Sequence, residues 1–132
     1  MKKSIVRILA LSLVAVMMCV VLVSCGGPNA DPDKALASLK DNEYSAAEDK
    51  LLIPTALRLL GVDDIDTVIT GTNKDGEHVT VIYFEDKAAA NDAWEDVQEY
   101  FEETSDEDSN WTIKKSGAMI YWGTSAGIKA AK

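Results

Sequence analysis

The chain has 132 residues, with 22 Asp and Glu against 13 Lys and Arg and a single histidine, for a formal charge of −9 at pH 7. So acidic a balance excludes nucleic acid as a partner, because phosphate binding needs a basic face. Both cysteines, Cys19 and Cys25, fall in the first 25 residues, so the remainder forms no disulfide and no Cys-based zinc site and must be held by packing.

Lys2, Lys3 and Arg7 make a basic head, and Ile8 to Val23 an almost unbroken apolar run, the layout of a secretory signal peptide. The run also approaches the ~20 residues of a spanning helix, but Gly26-Gly27-Pro28-Asn29 cannot continue a helix beyond Cys25. Leu22-Val23-Ser24-Cys25 resembles the lipobox of bacterial lipoprotein precursors. That resemblance implies that residues 1–24 are removed as a signal peptide and that the Cys25 thiol carries a diacylglycerol, whose two acyl chains suffice for lasting attachment. No other cofactor is expected. Cleavage there leaves 108 residues, about the size of one domain, and removes three bases and no acid, so the charge becomes −12. Such a body matches anionic lipid heads poorly, so the lipid rather than the protein surface is expected to hold the chain at the membrane.

Residues 25–31 then read as the lipidated Cys and a short flexible tether, and 32–132 as a single extracytoplasmic domain. Asp31-Pro32 offers an acidic N-cap followed by Pro at the first helical position, with Ala35, Leu36 and Leu39 on one face of a helix ending near Lys40. Ser45-Ala46-Ala47-Glu48 matches a capping box and so predicts another helix start. Pro54 interrupts it, which places a break at Ile53 and a short helix over 54–60 that closes on Gly61, with Leu57, Leu59 and Leu60 as core contacts. From Ile65 the pattern turns to β-branched residues. Residues 66–72 and 78–84 flank an Asp75-Gly76 turn and read as a hairpin, the second strand apolar on both faces and therefore central. The spacing of Ala90, Ala93, Trp94, Val97 and Phe101 predicts a long helix to about Glu103, with acids on its other side. Strands over 111–114 and 118–122, joined by Lys115-Ser116-Gly117, and a short helix from Thr124 complete the chain. The order predicts an α+β fold: a four-stranded, mainly antiparallel sheet of two hairpins, covered by the long amphipathic helix, with short helices flanking it.

Chemistry-bearing motifs are sparse. Asp106, Asp108 and Asn110 have the spacing that opens an EF-hand loop, but Trp111 stands where Gly is needed and Gly117 where a bidentate Glu is needed, so no metal site is expected. Asp63-Asp64-Ile65-Asp66 reads as a polar connection. His78 lacks any nucleophile motif to serve, so no catalytic residue is assigned. Trp111, Tyr121 and Trp122 cluster in the second hairpin, and Tyr121 and Trp122 must point to opposite faces; an aromatic at a sheet surface stacks on sugars or on a partner protein.

Val81-Ile82-Tyr83-Phe84-Glu85-Asp86-Lys87, the Ala/Trp helix, Lys115-Ser116-Gly117, Tyr121-Trp122-Gly123-Thr124 and Ile128-Lys129-Ala130-Ala131 resemble a group of small, uncharacterised lipoproteins of Gram-positive bacteria. The resemblance implies a cell-envelope location and an α+β domain, and no activity. The expectation is a non-enzymatic binding or accessory module, lipid-anchored at the extracytoplasmic face of the cell membrane. Its partner would be an envelope protein or glycan, met through Trp111, Tyr121 and Trp122. The alternative is an extracytoplasmic hydrolase working through acidic residues, which needs a pocket of convergent carboxylates.

Overall fold

A computed structural model describes residues 27–105 and 110–132. The cysteines, the lipobox-like residues 22–25 and the incomplete EF-hand acids Asp106 and Asp108 lie outside the described residues. Among those described, the elements run α1 (Pro32–Asp41), β1 (Ser45–Glu48), α2 (Leu52–Leu59), β2 (Ile65–Thr72), β3 (His78–Phe84), α3 (Lys87–Thr104), β4 (Thr112–Ser116), β5 (Met119–Gly123) and α4 (Ser125–Ala130). The fold is α+β, with the strands in one antiparallel sheet of order β1-β2-β3-β5-β4.

The first hairpin forms around the residues that predicted it; in the second, Lys115 and Ser116 pair with Ile120 and Met119 as part of β4, and the turn narrows to Gly117-Ala118. Between β2 and β3, Asn73 Oδ1 accepts from the N–H groups of Asp75 and Glu77, and Gly76 takes the positive φ that the turn needs. β4 and β5 meet through Gly117, also at positive φ. Thr80 of β3 faces Trp122 of β5, and Val81 faces Tyr121, so alternate residues of the two inner strands feed two separate cores.

One core, on the face covered by α1 and α4, holds Ala35, Leu39, Ile69, Val79, Val81, Tyr83, Tyr121 and Ile128. The other lies under α2 and α3 and holds Leu57, Val68, Ile82, Phe84, Ala90, Ala93, Val97, Ile120 and Trp122. The sheet is therefore covered on both faces, not by the long helix alone. That is why β3 and β5 read as continuous apolar runs although their pairing is antiparallel, an arrangement that more often leaves one face wet. α1 and α4 are tied together by Ser38, whose hydroxyl donates to the Ala130 carbonyl at 2.8 Å.

The fifth strand is the main departure from the sequence reading. Ser45 to Glu48 do not cap a helix; they pair with Thr72 to Ile69 as the edge strand β1. Ala-Ala-Glu favours a helix locally, but the outer edge of β2 presents unpaired N–H and C=O groups, and pairing satisfies them. The cap falls to Asp49 instead. Its Oδ1 accepts from Leu51 N–H at 3.0 Å and Leu52 N–H at 2.9 Å, and its Oδ2 from Ile53 N–H at 3.0 Å. These are the three donors just before Pro54, which has none, so Pro54 sits in the first turn of α2 without breaking it. The helix therefore starts at Leu52, not after a break at Ile53. Of the three leucines expected in the core, only Leu57 is buried; Leu59 is 84% exposed and Leu60 is also exposed.

Candidate functional site

The same placement opens a groove of about 360 Å³ between the α2 end, α3 and the sheet. His78 begins β3 and Trp111 precedes β4, and their rings stack with centroids 4.4 Å apart and planes 9° from parallel. Together they form one wall. Tyr100 and Trp122 supply more of the lining, and Trp122 is fixed by tilted contacts with Tyr100 at 6.0 Å and Phe101 at 5.9 Å. Leu52, 80% exposed, stands on the rim.

The groove's polar side chains are those of Asp49, Thr70, His78, Thr80, Tyr100 and Thr104. Thr80 is buried, and its hydroxyl meets His78 Nε2 at 2.7 Å. Burial holds the His78 pKa below the ordinary imidazole value, so the ring is neutral at pH 7 and stacks without carrying charge. Burial and, secondarily, the Asp49 carboxylate push the Tyr100 phenol up, which keeps it a neutral donor. Burial also pushes the Asp49 carboxyl up, but the bonds from Ile53, Leu51 and Leu52 outweigh it and leave the group below the usual carboxylate range. An ionised carboxylate already accepting three N–H bonds is a poor general acid.

The position of His78 depends on two glycines beyond the groove. Thr124 N–H donates to the His78 carbonyl at 2.8 Å, and His78 N–H donates to Thr124 Oγ1 at 3.1 Å. This backbone approach is so close that a Cβ at Gly127 would lie 2.2 Å from the His78 carbonyl oxygen, and one at Gly123 would lie 2.1 Å from it. Gly123 also has φ +144°, where a side chain is strained.

The three aromatics singled out from sequence separate. Trp111 and Trp122 share the groove, whereas Tyr121 belongs to the opposite face. Tyr121 and Trp122 are both buried, at 5% and 4% exposure, and Trp111 is half-buried. No family model, no curated protein and no solved structure matches the chain.

Sequence reasoning missed Asp49, Leu52, Tyr100 and His78 as groove residues. The sequence places His78 at a strand start beside a turn and gives it no catalytic motif, and nothing in a linear pattern pairs it with Trp111, 33 residues away. Elsewhere, Asp63, Asp64, Asp92 and Asp96 line a separate hollow of about 150 Å³. Among the described residues, no group of three or more His, Cys, Asp or Glu is placed to hold a metal ion, and no helix is long and apolar enough to cross a membrane.

Proposed function

We propose that the chain is a lipid-anchored, extracytoplasmic binding module of the cell envelope whose groove receives an apolar segment of an envelope protein. The observation that carries this reading is the continuity of the stacked His78–Trp111 wall with the exposed Leu52 on its rim. Leu51 next to it is exposed as well, and Leu59 lies two turns along the same stripe of α2. Large exposed apolar side chains beside a preformed aromatic groove mark a surface that is covered in use. The attachment is the diacylglycerol on Cys25 that the lipobox implies.

Two measurements test the reading. Intact mass of the detergent-extracted wild type is expected to show loss of residues 1–24 with added diacylglycerol, both absent in Cys25→Ala; an uncleaved, unlipidated chain would overturn the anchor. A photo-crosslinker at position 111 is expected to capture an envelope protein that one at Lys34, on α1, does not. Binding of that purified protein is expected to weaken at least tenfold in Trp111→Ala and in Leu52→Glu. Unchanged affinity in both variants would remove the groove as the contact, and quenching of tryptophan fluorescence by an oligosaccharide instead would replace the protein segment with a glycan.

A further inference from the structure

On the sheet face opposite the groove lies a second hollow, of about 410 Å³. Lys114 of β4, Lys129 of α4 and Lys132 line it, together with Tyr121, Thr112 and Ser125. No acidic side chain is among its lining residues, although residues 25–132 hold 22 acids and only ten bases. Three of those ten bases therefore converge on one spot of an otherwise acidic body.

The start of the described chain lies at the same spot. A Cβ at Gly27 would lie 3.0 Å from the Tyr121 hydroxyl, and Pro28 is buried. Asn29 N–H donates to the Ala131 carbonyl at 2.8 Å, its Nδ2 to the Lys132 carbonyl at 3.0 Å, and the Tyr83 hydroxyl donates to the Asn29 carbonyl at 2.7 Å. Residues 27–29 are thus laced to the rim of the lysine hollow. Cys25 is two residues earlier, within about 7 Å of Gly27 even at full extension.

From this we infer that the Lys114–Lys129–Lys132 hollow is the membrane-facing surface of the domain and takes the phosphate of an anionic phospholipid headgroup. The inference rests on the lipid anchor at Cys25, which brings this pole and no other to the bilayer. A Lys near an anionic surface strengthens attachment by roughly fivefold, so three bias the docked pose by about a hundredfold. The acidic outer side of α3, with Glu95, Glu99 and Glu102, lies beyond the other sheet face and is repelled. Docked this way, the domain points its aromatic groove away from the bilayer, towards the envelope.

The test uses the full lipidated chain in vesicles of phosphatidylglycerol and, separately, of phosphatidylcholine. Acylated Cys25 leaves an introduced cysteine as the sole free thiol, so Ala126→Cys, exposed on α4 outside the hollow's lining, and Glu99→Cys each carry a fluorophore, quenched by spin-labelled headgroups. The label at 126 is expected to be quenched several-fold more than that at 99 on phosphatidylglycerol, with the ratio falling towards one on phosphatidylcholine and in the triple variant Lys114→Glu, Lys129→Glu, Lys132→Glu. All three lysines are exposed, so the triple variant is expected to retain the fold, checked by its circular dichroism and melting temperature. A lipidated chain whose quenching ratio ignores both lipid charge and the three lysines overturns the proposal while the anchor stands. Intact mass without lipid, read on the same sample, overturns both. Saturation of the hollow by soluble glycerol phosphate, with orientation indifferent to lipid charge, would assign it to a free anion and overturn the lipid.

Discussion

Asp49 does at residue scale what the capping box was expected to do. Replacing it by Ala leaves three N–H donors of α2 without their acceptor and is expected to cost about 1–2 kcal/mol, read as a shift in denaturant midpoint. Its carboxyl protonates at lower pH in the folded chain than its ordinary 3.8, so its contribution is present above that value and is lost as acid carries the pH through the folded value. Asp49→Asn is expected to flatten that part of an acid melt. His78 acts higher up. The unfolded ring takes its proton near 6.5 and the buried one only at lower pH, so stability is full above 6.5 and falls on acidification below it. A His78→Gln variant whose stability falls as steeply between pH 6.5 and 5 would contradict this. Gly127→Ala drives a methyl into the His78 carbonyl; a loss of about 1–3 kcal/mol with altered Trp111 fluorescence is the expected result, since the start of β3 must move.

At the scale of elements, α2 is the one whose two sides separate most sharply. Leu57 is fully buried while Leu52 and Leu59 are open. Leu57→Ala is expected to cost about 2–5 kcal/mol, whereas Leu52→Glu and Leu59→Glu should stay within about 0.5 kcal/mol of wild type. Comparable loss of melting temperature from all three would mean that the open leucines are covered by the chain itself. The long helix α3 and both hairpins were legible because each carries its own periodicity or turn chemistry: Ala90, Ala93 and Val97 are buried as their spacing requires, and Asn73 and Gly76 close their turn locally. β1 was not legible. Four residues, Ser45 to Glu48, with helix-compatible composition became a strand only because β2 had an open edge beside them.

Across the whole molecule, the segment read as a tether is partly domain. Asn29 bonds to Tyr83, 54 residues further on, and to Ala131 and Lys132, more than a hundred residues further on, so the two ends of the described chain are fastened together. Tyr83→Phe removes the hydroxyl that holds the Asn29 carbonyl. Amide exchange at Asn29 is expected to quicken several-fold while β3 stays protected; unchanged exchange would show that the Asn29 bonds to residues 131 and 132 suffice alone.

By itself the sequence determined the elements whose signals are local: the acidic N-cap and Pro of α1, the Asp-Gly hairpin, the amphipathic period of α3, and the alternation that sends Tyr121 and Trp122 to opposite faces. Its first 25 residues also resemble a signal peptide with a lipobox, a likeness read from residue chemistry rather than through a fold. Tertiary structure alone decided which surfaces face one another. Stacking of His78 on Trp111, the cap supplied by Asp49, the fifth strand and the gathering of Lys114, Lys129 and Lys132 all join residues whose positions in the chain say nothing of their proximity. Net charge shows the reason plainly: it sums over the chain and describes an acidic body, whereas binding responds to the local field, which only the folded arrangement of those charges creates.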